Sequence, residues 1–324
     1  MSMLQQSVNN QASDLSRLRT TRLGLSLLNF FSADIRDGLG PFAAVYLLQE
    51  ARWRPHMIGI AMTANSVCQF LVQTPVGDFI DRTTHKKFVC AMCCVLVAVT
   101  STAMVRWPAV VPVIATRIVQ GVGSAALPPA IAAITLGCYG PRAFAKQISY
   151  NETCNHAGMA ACSILAGIAS YYIEPAAAFM VVAATGILSV CCLPFITGID
   201  NDVARGSVEQ QDGHGRPAAS EKTVLDTTTA SHGPVSYSEI LKNRRILAFC
   251  ICCFGFHFGN AAMLPLLGQK LSLSEIDTSD ASASKDDSKN NESMVFMAAC
   301  QVVAQLTMTI VAIPVGHLAD TWVL

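Results

Sequence analysis

Charge is what this sequence has least of. Only 14% of its 324 residues are Asp, Glu, Lys or Arg, against 52% that are hydrophobic. An ordinary soluble domain carries about 25% charged residues. A water-soluble globule of this size would lack the polar surface to cover itself, and the composition equally excludes a disordered chain, collagen and a coiled coil. The 22 basic and 22 acidic side chains cancel to a formal net charge of zero, so no basic field points to nucleic acid. A disulfide framework is missing too. The 13 cysteines are odd in number, and most lie inside apolar runs: Cys90, Cys93 and Cys94, then Cys191 and Cys192, then Cys250, Cys252 and Cys253. They read as small apolar packing residues. Cys90 and Cys93 have C-x-x-C spacing, yet no partner ligands for zinc or redox chemistry are evident. No nucleophile elbow, phosphate-cradling glycine loop or zinc spacing occurs, so neither an enzyme nor a metal or cofactor site is expected.

What is present is a series of long apolar runs. A helix needs about 20 such residues to cross a hydrocarbon core about 30 Å thick. Eight candidates follow, at Leu23–Leu48, Met57–Val76, Phe88–Val105, Val110–Leu136, Thr153–Ile173, Ala176–Ile199, Ile246–Leu267 and Met294–Val315. The runs are too long for barrel strands and lack period-two alternation. The expectation is an all-α polytopic membrane protein. A polar tail, 1–22, precedes spans 23–199; a linker rich in Gly, Ser, Thr, Asp and His follows at 200–245. Residues 246–324 hold two further spans around a polar loop, 270–293. The tail is followed by no short apolar leader with a cleavage site, so it is expected to be retained. The tail and the even-numbered loops carry 14 Lys and Arg against six on the odd-numbered loops, which puts the N-terminus in the cytosol. Asn291-Glu292-Ser293 is an acceptor sequon on the outer side; Asn151-Glu152-Thr153, on the inner side, should be unused.

The end of the second span recurs at the end of the eighth. Pro75-Val76-Gly77 has Asp81 four residues after the glycine, and Pro314-Val315-Gly316 has Asp320. The offset is 239 residues, and Pro41 and Pro265 repeat at 224; the enlarged seven–eight loop accounts for the difference. Spans one and two therefore correspond to seven and eight, and a six-helix repeat is a transporter signature, with substrate bound where the repeats meet.

Gly77-x-x-x-Asp81-Arg82-x-x-x-Lys86-Lys87 resembles the two–three loop signature of the major facilitator superfamily, with Thr84 where the family has glycine. Arg117-x-x-Gln120-Gly121-x-Gly123 resembles its second signature, in the fourth span. Asn155-His156-Ala157-Gly158 stands where antiporters of the family carry a proline–glycine signature. The first span from Asp34 to Pro41 and the seventh from Phe256 to Pro265 look like a prokaryote-type branch. The resemblance covers roughly residues 20 to 320. It implies a facilitator-type helical bundle that moves a small solute by alternating access, as a secondary active transporter with or without proton coupling. It further implies a conformational latch at Gly77, Asp81, Arg82, Lys86 and Lys87, repeated at Gly316 and Asp320. Positive-inside anchoring is the simpler reading of those cations. Members have twelve helices, and this chain stops at Leu324 after the eighth; a C-terminally truncated member is expected. A genuine eight-span product, working as a non-transporting membrane partner or regulator, is the alternative. An uncoupled facilitative carrier is the other.

Charges inside spans are the sharpest functional signal. Asp34, Arg36 and Asp37 fall near the middle of the first span. Each costs about 2.5–3.5 kcal/mol at the bilayer centre, so they should face the bundle interior or a watery cavity. Asp34 and Asp37 share a face; Arg36 points elsewhere. Pro41, with Gly38 and Gly40, is expected to break the helix beside them. Arg117 in the fourth span is the candidate counter-charge for Asp34 or Asp37. These groups read as substrate or proton-coupling residues, with an internal salt-bridge cluster as the packing alternative. His257 with Asn260, and Gln301 with Gln305, are each about one turn apart and are candidates for contact with solute or as interhelical polar glue. Glu152 and His156 are similarly spaced. The partners implied are a small molecule, protons and the lipid bilayer.

Overall fold

The computed structural model describes residues 2–37, 39–205, 242, 244–260, 263, 266–267, 269–271, 273 and 292–322; of these, the side chains of 2–15, 36, 37, 39, 245, 256–260, 292–293, 311–313 and 315–322 are not described. The chain divides into two compact units, Met1–Arg205 with Leu264–Leu324, and Gly206–Met263. No strand occurs among the described residues. The first unit contains α1 (Ser2–Phe31), α2 (Ala33–Asp37), α3 (Leu39–Gln49), α4 (Pro55–Arg82), α5 (Lys86–Arg106), α6 (Val110–Tyr172), α7 (Ala177–Cys192) and α8 (Asn201–Ala204). It also contains α10 (Glu292–Trp322); the second unit contributes α9 (Arg244–Asn260).

Lys86–Arg106, Val110–Tyr172 and Ala177–Phe195 are each long and apolar enough to cross a membrane, and Ile246–Gly255 and Met294–Ile310 are shorter apolar helices. At 1.5 Å per residue the 63 residues of α6 would reach roughly 95 Å, far beyond one hydrocarbon core. The helix turns back at Gly140, whose φ of 69° lies in the left-handed region, and Pro141 restarts it. The loop expected between the fourth and fifth spans is therefore replaced by two helices meeting at one glycine. Residues 137–152 carry polar groups that suit a loop, but Gln147 Nε2 donates to Asn151 Oδ1 and Asn151 Nδ2 donates inward to Thr135 Oγ1, each at 3.0 Å, so these groups are satisfied in helix.

The first span differs from expectation more sharply. The helix begins at Ser2, within the polar tail, and is interrupted at Ser32; Gly38 lies outside the described residues. Pro41 lies within the helical stretch Leu39–Gln49, and the expected break beside it falls at Gly38, outside the described residues. Residues 206–241 and 274–291 lie outside the described residues, and with them most of the linker and Asn291 of the outer sequon.

Loops alternate between two ends. At one end the Thr21 hydroxyl meets Thr197 O at 3.2 Å, the Arg22 guanidinium lies 4.6 Å from the Tyr150 ring centre, and Arg205 Nη2 donates to Arg82 O at 2.9 Å. Asp200 N donates to Gly137 O at 3.0 Å, and the Asp200 carboxylate caps α8. At the other end Trp53 Nε1 donates to Pro108 O at 3.1 Å and Tyr46 packs edge-on against Phe179.

With lipid tails as apolar as leucine, helix association depends on close packing, and small residues supply it. A Cβ on Gly121 would lie 2.8 Å from Asn65 O of α4, and one on Gly123 would lie 3.0 Å from Val97 of α5. At Gly158 an added Cβ would collide with the Phe30 backbone. Gly158→Ala is therefore expected to lower the thermal unfolding midpoint of the detergent-solubilised protein, at a cost of about 1–3 kcal/mol. Gly59→Ala, where a Cβ meets nothing within 4 Å, should leave stability unchanged or raise it by up to about 1 kcal/mol. Equal midpoints for both variants would refute the proposed tight contact.

Candidate functional site

The short helix α2, which follows the turn at Ser32, carries the carboxylate of the site into the protein interior. Asp34 is 2% exposed, and its carboxylate stands beside the Cys162 thiol, which also neighbours the Thr185 hydroxyl. Ser124 Oγ donates to Ile35 O at 3.0 Å, which satisfies a carbonyl of α2 from the fourth span. Polar atoms gather around this interruption. Ser32 Oγ in the first span, Asn155 Oδ1 and Ser163 Oγ in the fifth, and Gln301 Oε1 in the eighth are buried with no hydrogen-bond partner among the described residues. Each would cost about 1–3 kcal/mol if left dry and unbonded, so the set is chemically suited to hold water or a polar solute. The side chains of Arg36 and Asp37 lie outside the described residues.

Arg117 is 5% exposed, and its side-chain partners among the described residues do not include Asp34. Its Nη1 donates to Gln120 Oε1 at 2.6 Å and its Nη2 to Met62 Sδ at 3.3 Å; its Nε has no partner among the described residues. Asn65 Nδ2 donates to Arg117 O at 2.9 Å, and Gln120 Nε2 lies 3.4 Å from Ser101 Oγ. The expected pairing with Asp34 is thus not formed in this state. The reason is position: Arg117 lies seven residues before Ser124, about 10 Å along the helix from the contact with α2.

The eighth span, α10, runs antiparallel to the second half of α6. Ala298 sits against Gly167, and His156 Nδ1 lies 2.7 Å from Gln305 Oε1. Between these contacts Gln301 falls roughly level with Cys162 and Ser163. Gln301 and Gln305 are therefore brought to the same interface as Asp34's neighbours. Gln305 has its partner on the fifth span, while Gln301 keeps an unpaired oxygen. The side chains of His257 and Asn260 lie outside the described residues, as do those of Gly316 and Asp320.

A cavity of about 430 Å³ lies between the first, second, fourth and fifth spans, lined by Asn29, Gln73, Gly77, Pro128, Pro129, Asn151 and Glu152 among others. Gly77, expected in the latch, thus borders this cavity. The remaining latch residues have a local logic. Arg82 Nε pairs with Asp78 Oδ1 at 2.9 Å rather than with Asp81, because Asp78 is one turn back on the same helix. Asp81 caps no helix; His85 precedes α5 and its side chain makes no cap. Lys86 is 1% exposed and donates to Ile80 O at 2.8 Å, Thr83 O at 2.9 Å and Asp81 O at 3.4 Å. It satisfies carbonyls at the C-terminus of α4, where the helix dipole is negative.

Sequence reasoning missed Asn29, Ser32, Asn155, Ser163 and the Gln147–Asn151–Thr135 chain. The available signal was a neutral amide or hydroxyl set inside an apolar run, which is weaker than a charge but follows the same rule. Asn151 is buried in that chain, which gives a direct reason why its sequon should go unused. Cys90 and Cys94 are fully buried as expected for packing, whereas Cys191, Cys250 and Cys252 are exposed. Among the described residues no three His, Cys, Asp or Glu side chains gather as a metal site.

A family model described as Major Facilitator Superfamily matches residues 25–324. Two proteins of Mycobacterium tuberculosis, one from each of two strains and each named an uncharacterized MFS-type transporter, are 36% identical over 300 residues, 92% of this chain. The chain spans 65% of the length of these curated relatives. Among solved structures, the nucleoside transporter NupG has a TM-score of 0.63 at 14% identity, covering 89% of this chain and 66% of that one. At that identity the likeness is one of fold.

The Lys86 contacts make a separate prediction. Lys86→Met should strip three carbonyls of their donor and destabilise the protein by about 1–3 kcal/mol, read as a lower thermal midpoint. Lys87→Met, at a half-buried position beside it, should change the midpoint little. If Lys86→Met melts with the parent protein, the cation is an anchor only.

Proposed function

Because the chain belongs to the Major Facilitator Superfamily, we propose that it works as a secondary transporter, carrying a small polar solute across a membrane by alternating access. The observation that carries this reading is the gathering of Asp34 with buried, unpaired polar atoms from the first, fifth and eighth spans. A carboxylate and several hydrogen-bonding groups at membrane depth are costly unless water or a solute occupies the space between them. The eighth span, which corresponds to the second by the Pro-Val-Gly repeat, contributes Gln301 and Gln305. The set is therefore shared between one group of spans and the start of the next. On this reading residues 23–199 form a six-helix half, 200–245 a cytosolic linker and 246–324 the opening of the second half.

Orientation follows from charge. Arg17, Arg22, Arg82, Lys86 and Arg205 belong to the segments that meet at one end, which supports a cytosolic N-terminus. Gly77, Asp81, Arg82, Lys86 and Lys87 act as the latch at that face, with Gly316 and Asp320 as its repeat. Asp34 and Asp37, with Arg36 nearby, bind solute or protons. Arg117 serves as counter-charge in the other access state, exchanging Gln120 and Met62 for a carboxylate. His257 and Asn260 are proposed as solute-contacting residues of the seventh span.

The test is uptake of a panel of radiolabelled sugars, nucleosides, amines and carboxylates into proteoliposomes holding the full protein, measured against pH. Asp34→Asn should lower uptake about tenfold or more, the size expected for a lost hydrogen bond to a charged group, and flatten its pH dependence. Unchanged pH dependence in both Asp34→Asn and Asp37→Asn removes both residues from coupling. A parent protein with uptake but no pH dependence is an uncoupled carrier.

A further inference from the structure

Two apolar grooves lie end to end along the exposed face of α5. One, of about 670 Å³, has Thr83 and His85 at one end and passes Phe88 and Met92 to Leu96 and Val122. The other, of about 440 Å³, passes Val95, Val99 and Ala103 and ends at Arg106 and Trp107, with Ala183 and Ile187 of α7 as its second wall. Val95 and Val99 are exposed, as is Ile187, so this groove opens on the face the helices present to lipid.

Length and charge together name an occupant for the second groove. From Val95 to Arg106 is about 16 Å at 1.5 Å per residue, and half of a hydrocarbon core is about 15 Å. The groove is one leaflet deep. Its mouth carries an exposed arginine that makes no hydrogen bond or ion pair among the described residues. Beside it Trp107 is 59% exposed, at the level where an indole ring favours the headgroup region. A guanidinium offers planar donors that match phosphate oxygens, and a phosphate there would meet no competing carboxylate in the groove lining. The first groove lacks this feature, because Arg82 near its mouth is already taken by Asp78 at 2.9 Å.

We propose that the groove between α5 and α7 seats one phospholipid of the leaflet at the Arg106 end. One acyl chain lies between Val95, Val99 and Ala103 on one side and Ala183 and Ile187 on the other; the phosphate is held by the Arg106 guanidinium, with the Trp107 ring against the glycerol. The site is separate from the polar set around Asp34, so it stands whether or not the transport reading does.

Native mass spectrometry of the full protein in detergent, with phosphatidylglycerol or with a diacylglycerol of the same chains added, tests it. One phosphatidylglycerol per chain should survive delipidating washes, and diacylglycerol should not. Arg106→Gln should cut that occupancy about tenfold, the size of a lost charge-assisted hydrogen bond. Arg106→Lys should keep most of it. Ala183→Trp, which fills the groove without altering charge, should abolish it, and His85→Gln should leave it unchanged. Equal retention in Arg106→Gln, equal retention of diacylglycerol, or a protein dimer that Ala183→Trp dissolves would each overturn the assignment. Should Ala183→Trp fail to keep its helical circular dichroism, the Arg106 pair, at an exposed helix end, still decides.

Discussion

In hydrocarbon a helix can be interrupted, or carry a carboxylate, only where neighbouring protein or a watery cavity supplies what lipid cannot. The first span lives under that constraint. It breaks at Ser32, and directly after the break it buries Asp34. The arrangement holds because both halves of α6 close around it. The fourth span offers the Ser124 hydroxyl to the Ile35 carbonyl, and the fifth brings Gly158 onto the Phe30 backbone and Cys162 beside Asp34. Without that close approach the freed backbone groups would face lipid.

Close approach is in turn a matter of small residues. The motif Arg117-x-x-Gln120-Gly121-x-Gly123 illustrates how one stretch serves packing and polarity at once. Gly121 admits the backbone of α4, Gly123 admits α5, and the two polar residues between neighbouring turns satisfy each other. A buried arginine is tolerable here because Gln120 and Met62 accept from it. The same economy governs Lys86, whose charge is spent on the carbonyl end of the preceding helix. Cations that sequence alone would leave facing water are partly structural.

Much of the architecture was legible in the amino acids. Scarce charge and long apolar runs specify a helical membrane protein, and the Pro-Val-Gly repeat relates the second span to the eighth. The places where expectation failed share one cause. A polar stretch such as 137–152 looks like a loop when its partners are unknown, and becomes helix once Asn151 can bond Thr135.

Hydropathy and charge along the chain, being local quantities, were enough to decide that it crosses a membrane, roughly where, and that Asp34 must be sheltered. Which groups shelter it could come only from three dimensions. Cys162 and Ser124 lie 128 and 90 residues from Asp34, and Gln305 lies 149 residues from His156. No sequence spacing encodes contacts at such separations; they are set by how helices pack, and packing is decided by the shapes of all the surfaces together.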